Sequence, residues 1–155
     1  KLYKNEIKIF HKFEKILPKY INSFPIDKNE ISNAILAKNK NLKKIINIVH
    51  QEIRKKLKNF LKKNKNRKII ILDIPLLLEN NLNNKKDILI FVQSSKIDIL
   101  KRLKKRKNFN SKLIKKFRKI QLPLDYKKRK SHFIIKNDFT NKTVKKYVKD
   151  ILQRI

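Results

Sequence analysis

The sequence predicts an open α/β fold, in which helices cover a parallel β-sheet. Three apolar runs of strand length, at 67–74, 87–93 and 132–137, alternate with segments of helical periodicity. Each run is apolar on both faces, which is typical of strands buried in a parallel sheet. The chain has 155 residues, enough for one domain with a real core.

Helical spacing predicts the remaining elements. Residues 5–17 carry apolar residues on one face, and Pro18 ends that helix. Asp27 is placed to cap a short second helix, and residues 40–63 form a long third helix with one apolar face and one lysine face. The later helical segments are 96–106, 111–121, 124–130 and 141–154.

The charge allows two interpretations. The chain has 44 basic and 12 acidic residues, a net charge of +32, which suggests a polyanion partner such as nucleic acid. The excess, however, lies in lysine, with asparagine and isoleucine, as an A/T-rich genome encodes by default. A dedicated nucleic-acid binder uses more arginine, whose planar fork pairs with phosphates and bases. We favour compositional drift and keep a basic nucleic-acid-binding module as the alternative.

Several residue types are absent. Without cysteine, disulfides and thiolate metal sites are excluded, and three scattered histidines do not suggest a zinc site. No apolar run reaches the roughly 18 residues of a membrane span, and no signal peptide is visible, so we expect a cytoplasmic protein. Glycine is also absent, against an average usage of about 7%. Because there is no methionine to serve as initiator, we expect a segment before Lys1.

Acids stand at the predicted end of the first strand. Asp73, Pro75 and Glu79 follow the 67–74 run, and residues 93–95 (Gln-Ser-Ser) follow the next one. Ligands of open α/β sheets bind outside the carboxyl ends of the strands. An acid there can hold a magnesium ion, directly or through water, or orient a hydroxyl. Alternatively, Asp73 caps a turn and Glu79 is a solvated helix residue.

Arginines cluster late in the chain. Four of the seven lie between Arg102 and Arg129, and Arg102 and Arg106 are four residues apart on one predicted helix face. Two guanidinium groups on one face suit a triphosphate whose charge grows during transfer. The alternative is an exposed basic helix.

Four sequence blocks resemble the dephospho-coenzyme A kinase family. "IPLLLENNL" is similar to its P-L-L-x-E segment, and "DILIFVQSSKIDILKRLKKR" to its strand and lid helix with R-x-x-x-R. "QLPLDYKKRKSHFIIKND" is similar to a Q-x-P-x-x-x-K segment and the strand after it. "IVHQEI" resembles a helix with His followed by Pro, where Gln51 replaces the proline. The resemblance covers essentially the whole chain and is strongest over 70–138.

The sequence also departs from the family. The phosphate-binding loop, G-x-x-x-x-G-K-[ST], and the catalytic aspartate are expected before Lys1. Lys28 lies where the family usually has an arginine, and Phe139 lies where it usually has a glycine. His132 and Lys136 replace acids of the family pattern. In the family, the strand that leads into the phosphate-binding loop lies between the strands that correspond to 67–74 and 87–93. Without it these two strands would have unpaired edges, so we expect residues 1–155 alone to be poorly stable and inactive.

The resemblance implies a three-layer P-loop NTPase-type sheet with its N-terminal strand missing, and a helical substrate and lid subdomain. It implies one partial kinase domain, with a mainly helical acceptor-binding part at 1–66 and an α/β core at 67–155 that has lid helices at about 96–122. The reaction implied is phosphate transfer from ATP to the ribose 3′-hydroxyl of dephospho-coenzyme A, the last step of coenzyme A synthesis. Another P-loop kinase activity fits the blocks less well.

Roles for single residues follow from the same resemblance. Arg102 and Arg106 would bind the ATP phosphates and act in catalysis, and Asn137 would lie near the adenine. Asp73 would act in catalysis and hold Mg²⁺, directly or via water. The residues assigned to the acceptor are His50, Pro75, Leu76, Leu77 and Glu79. No specific nucleic acid and no membrane are expected as partners.

Overall fold

The computed structural model describes residues 6–155 as seven helices and two strands. The chain forms two compact units, one extending to Pro75 and one comprising Leu76–Ile155. A helix-rich α/β chain is thereby confirmed, and the six helices with a predicted range lie within a few residues of it. Asn5, the predicted start of the first helix, lies outside the described residues. In chain order the elements are α1 (Ile7–Ile16), α2 (Lys28–Ala37), α3 (Asn39–Lys63), β1 (Ile90–Gln93), α4 (Lys96–Lys104), α5 (Ser111–Lys119), α6 (Leu124–Lys130), β2 (Phe133–Lys136) and α7 (Asn141–Leu152).

The core of the first unit lies between α1, α2 and α3. Its buried side chains include Ile9, Phe10, Phe13, Leu17, Ala34, Ile35, Leu42, Ile45 and Ile48. Two residues predicted on the apolar faces, Ile7 and Phe60, are each 47% exposed. The apolar face of α3 is therefore buried mainly in the first half of this 25-residue helix. No helix among residues 6–155 is long and apolar enough to cross a bilayer.

The start of α2 is set by Asp27, as predicted. Its Oδ1 accepts a hydrogen bond from the backbone N–H of Asn29 at 3.3 Å, which satisfies a donor that the first helical turn leaves without a partner. We expect Asp27→Ala to lower the free energy of unfolding by about 1 kcal/mol in urea titrations. Asp27→Asn keeps an acceptor and should lose less; equal losses in the two variants would contradict the capping role.

Ion pairs join α1 to α3. The Lys12 ammonium lies 2.6 Å from a carboxylate oxygen of Glu52, and Lys55 lies 3.5 Å from the same oxygen. Glu6, just before α1, pairs with Lys56 of α3. The hydrogen bond from Lys12 lowers the pKa of Glu52 and outweighs the opposing effect of burial. Part of the lysine face of α3 is thus neutralised locally by the few acids of this unit.

The run at 67–74 is not a strand, which corrects the prediction. Its backbone is irregular, and Ile69 and Ile71 are 52% and 84% exposed. A strand persists only where its N–H and C=O groups pair with a neighbour, and the sheet of the described residues contains β1 and β2 alone. Apolar, β-branched composition was therefore not sufficient to form a strand here.

The second unit contains the sheet. β1 and β2 pair in parallel, with Ile90 opposite Phe133 and Gln93 opposite Lys136, which confirms the predicted strand direction. Both strands are shorter than the runs that predicted them. α7 contacts β2, and Ile151 of α7 is buried. Because a parallel pair has both carboxyl ends at one edge, the segments after Gln93 and Lys136 emerge together.

Candidate active site

The carboxyl edge of the sheet leads directly into two helices. The backbone N–H of Asn137 donates to the carbonyl of Gln93 at 2.7 Å, which holds the two strand exits together. After β1, the Ser95 hydroxyl caps α4 by accepting from the N–H of Asp98 at 3.1 Å. After β2, Thr140 caps α7 through the N–H of Thr143 at 3.4 Å. This edge is where an open α/β fold places a ligand.

A tight turn, 137–140, connects β2 to α7. The Asn137 side-chain oxygen accepts the N–H of Phe139 at 2.8 Å, and an Asp138 oxygen accepts the N–H of Thr140 at 2.9 Å. The Thr140 N–H and the hydroxyls of Thr143 and Thr140 lower the pKa of Asp138 by hydrogen bonding to its carboxylate. Phe139 has φ 66°, in the left-handed region that a bulky residue rarely adopts. The turn is thus held by side-chain hydrogen bonds.

Arg102 lies against this turn. Its guanidinium carbon is 3.8 Å from the centroid of the Phe139 ring, a cation–π contact between α4 and the turn. Because Asn137 holds the N–H of Phe139, two residues that the sequence assigned to one nucleotide, Arg102 and Asn137, are connected through Phe139 at one edge. Their roles in nucleotide binding remain predictions.

Arg106 does not share the helix with Arg102, which corrects the predicted segment 96–106. α4 ends at Lys104, and the N–H of Arg106 donates to the carbonyl of Leu103 at 3.1 Å in a following turn. The reason lies in the sequence: five polar residues, four of them basic, occupy 104–108, so no apolar side chain continues the packed face and like charges repel.

The P-L-L-x-E block forms a compact turn. Leu76 and Asn81 have φ of 57° and 48°, and the Asn80 side-chain amide donates to the carbonyl of Leu76 at 2.7 Å. The N–H of Leu82 donates to the carbonyl of Leu77 at 3.1 Å, and the Leu82 side chain is buried. The predicted acceptor residues Leu76 and Leu77 thus lie in a folded turn, where both are half-buried.

Glu79 is neither solvated nor helical, so that alternative is wrong. Its side chain is 8% exposed, and one oxygen lies 2.5 Å from the Lys127 ammonium, itself 18% exposed, and 3.0 Å from the N–H of Leu122. Burial alone would raise the pKa of Glu79, but the hydrogen bonds from Lys127 and Leu122 lower it below its ordinary value. The pair holds the P-L-L-x-E turn against the start of α6.

The remaining predicted site residues belong to the first unit. His50 lies half-buried on α3, where burial and then the charge of Arg54 lower the pKa of the imidazole and so favour its neutral form. Asp73 is exposed and lines an open, largely apolar groove of about 320 Å³ beside Leu57 and Phe60. Pro75 is exposed at the end of this unit.

No group of three or more His, Asp or Glu side chains within residues 6–155 is placed to hold a metal ion. Asp73 is accordingly not part of such a group. Sequence reasoning missed two residues, Lys127 and Phe139, as parts of the site's framework. The lysine of the Q-x-P-x-x-x-K block and the phenylalanine in place of glycine were the signals available for them.

Comparisons with known proteins agree on one family. A family model described as dephospho-CoA kinase matches residues 8–143. The dephospho-CoA kinase of Wolbachia pipientis wMel is 31% identical over 156 residues, covering 99% of this chain and 80% of that protein. That of Wolbachia sp. subsp. Brugia malayi (strain TRS) has the same identity and coverage, 31%, 99% and 80%. That of Ehrlichia canis (strain Jake) is 24% identical over 99% of this chain and 78% of its own length.

An α/β unit with an arginine at the carboxyl edge of its sheet, together with these matches, defines a kinase, a transferase that acts on a small molecule. The chain belongs to the dephospho-CoA kinase family, whose members are transferases of coenzyme A biosynthesis.

Proposed function

We propose that this protein transfers a phosphate from ATP to the ribose 3′-hydroxyl of dephospho-coenzyme A. The family match over residues 8–143 carries the proposal. The exposed Arg102 guanidinium at the sheet's carboxyl edge supports it, because phosphoryl transfer needs fixed positive charge beside the phosphates and little covalent chemistry from the protein.

On the donor side we assign the ATP phosphates to Arg102 and Arg106. Arg102 is fixed on α4, while Arg106, in the turn after the helix, has a backbone less constrained by helical hydrogen bonds. We therefore expect Arg102 to set the geometry and Arg106 to add charge. We assign the adenine to the neighbourhood of Asn137, which lies at the same strand exit.

On the acceptor side we assign His50, Pro75, Leu76, Leu77 and Glu79. The neutral imidazole of His50 offers a hydrogen-bond donor and acceptor without a charge. The two leucines offer apolar wall, and Glu79, engaged by Lys127, shapes the turn that carries them. In this proposal Glu79 determines the shape of the turn and does not supply a charge to the acceptor.

We assign Mg²⁺ to Asp73. One carboxylate is a sufficient protein contribution, because Mg²⁺ in kinase sites keeps several waters and takes its other ligands from the substrate phosphates. The exposed carboxylate of Asp73 fits that donor set. When bound, the ion would neutralise charge on the transferred phosphate. We also propose a catalytic part for Asp73, a three-layer P-loop NTPase-type fold around the described sheet, and a cytoplasmic location.

The test is an assay of the protein expressed from its complete gene. With ATP, Mg²⁺ and dephospho-coenzyme A, we expect a product whose ³¹P NMR spectrum contains a new 3′-phosphomonoester. An acceptor that lacks the 3′-hydroxyl serves as the matched control and should give no product. Absence of turnover, together with RNA binding that weakens steeply as salt increases, would instead favour the basic nucleic-acid-binding module.

A further inference from the structure

Phe139 adopts a backbone conformation that phenylalanine disfavours. Its φ of 66° is left-handed, where glycine is at ease and a Cβ atom clashes with the neighbouring backbone. The turn holds it there, because Asn137 accepts the Phe139 N–H at 2.8 Å and Asp138 and Thr140 close the next hydrogen bonds. A large side chain at such a position needs a compensating contact.

The contact is with Arg102. The guanidinium carbon lies 3.8 Å from the ring centroid, well inside the roughly 6 Å at which a cation over an aromatic face is attracted. Phe139 is half-buried and Arg102 is exposed, so the ring contact restricts an arginine side chain that is otherwise open to solvent. A long arginine side chain on an exposed helix face otherwise samples many rotamers.

Stacking and phosphate binding use different parts of the guanidinium group. An arginine stacks on an aromatic ring through the flat face of its guanidinium group, whereas the N–H donors that pair with phosphate oxygens lie in the plane of the group. Arg102 can therefore bind phosphate without leaving Phe139. The ring limits the orientations of the group, and its place in the turn after β2 keeps the guanidinium at the sheet's carboxyl edge.

We propose that Phe139 is a positioning residue for Arg102, holding the guanidinium in the orientation that binds the donor's phosphates. This inference rests on the proposed function of Arg102. In this proposal the strained backbone of Phe139 is offset by the contact of its ring with Arg102, and the turn itself does not require phenylalanine.

The variants that test this are Phe139→Leu, Phe139→Tyr and Phe139→Gly, in the protein expressed from its complete gene. We expect Phe139→Leu to lower kcat/KM for ATP about 3- to 5-fold, the size of an exposed cation–π contact, and Phe139→Tyr to keep it. Phe139→Gly should lower kcat/KM as much as leucine does while the melting temperature stays equal or rises, since glycine relieves the left-handed strain. A purely structural role would make activity follow stability.

Arg102 provides the second comparison. In an Arg102→Ala background, Phe139→Leu should cause no further loss, because the ring then has nothing to position. A direct readout needs no activity: the Arg102 Nε–H NMR signal should show an upfield ring-current shift in the wild type and in Phe139→Tyr, and lose it in Phe139→Leu. An unshifted wild-type signal, or an additive double variant, would overturn the positioning role.

These outcomes separate the two proposals. Absence of kinase turnover in the wild type would overturn the proposed function. Turnover that Arg102→Ala leaves unchanged would remove the phosphate role of Arg102 and the positioning role with it. Turnover that depends on Arg102 but not on the Phe139 ring would overturn the positioning role alone.

Discussion

Replacing Arg102 with alanine should lower kcat/KM about 10²- to 10³-fold, the loss that follows removal of one fixed donor to a charge-developing transition state. Arg102 is exposed on the surface of α4, so the melting temperature should fall little, by no more than the loss of its single contact with Phe139 explains. The measurement is steady-state kinetics with ATP and dephospho-coenzyme A, beside a thermal melt of the same sample.

Arg118→Ala is the matched control. Arg118 is also exposed and lies on the next basic helix, α5, but it has no assigned role. Its replacement by alanine removes the same single charge as Arg102→Ala. We expect its kcat/KM to stay within about 2-fold of the wild type, because an isolated surface charge has little effect. Equal losses in the two variants would mean that general positive charge matters, and would remove Arg102 from the site.

Breaking the buried pair between Glu79 and Lys127 should cause the largest loss of stability. We expect Glu79→Gln to lower the free energy of unfolding by about 3 kcal/mol, because it leaves the Lys127 ammonium, only 18% exposed, without its carboxylate. Lys127→Met should lower the free energy of unfolding by about as much, because it leaves the buried Glu79 carboxylate without its ammonium partner. The double variant should cost clearly less than the sum, and urea titrations of all four proteins measure the coupling.

The same pair predicts a pH dependence. The pKa of Glu79 is lowered in the folded protein from an ordinary value of 4.5, so below about pH 4.5 the unfolded chain takes up the proton first. The stabilisation is therefore complete above that pH and is lost as the pH falls through the folded pKa. We expect the difference between wild type and Glu79→Gln to shrink as the pH falls.

A surface pair is the control for this prediction. Glu14 is 49% exposed and lies beside His11. Glu14→Gln should lower the free energy of unfolding by no more than about 0.5 kcal/mol. A Glu79→Gln variant that loses no more than Glu14→Gln would show that the buried carboxylate does not hold the turn, and a constant difference across pH would show that its ionisation is irrelevant.

Local sequence signals predicted the helices well. The apolar spacing along α1 and α3, the cap at Asp27 and the position of Pro18 depend on residues within one or two turns of each other, so they could be identified without the fold. The early end of α4 is also encoded locally, in the basic stretch at 104–108, although the spacing of Arg102 and Arg106 predicted a longer helix.

The first apolar run shows where local signals end. Residues 67–74 have the composition of a strand but do not form one in the described structure. Strand formation needs the backbone groups of a neighbouring strand and not only apolar side chains. By contrast, β1 and β2 form because each supplies the other's hydrogen bonds across some 40 residues of chain.

The sequence by itself determined the helices, the parallel direction of the strands and, through the ordered blocks from Ile70 to Asp138, the family. Only the tertiary structure decided which side chains meet: Glu79 with Lys127, and Arg102 with Phe139. Helix periodicity and caps are encoded over neighbouring residues, whereas these two contacts join positions far apart in sequence. The first depends on burial, and both lie at turns with left-handed residues that become defined only once the chain is packed.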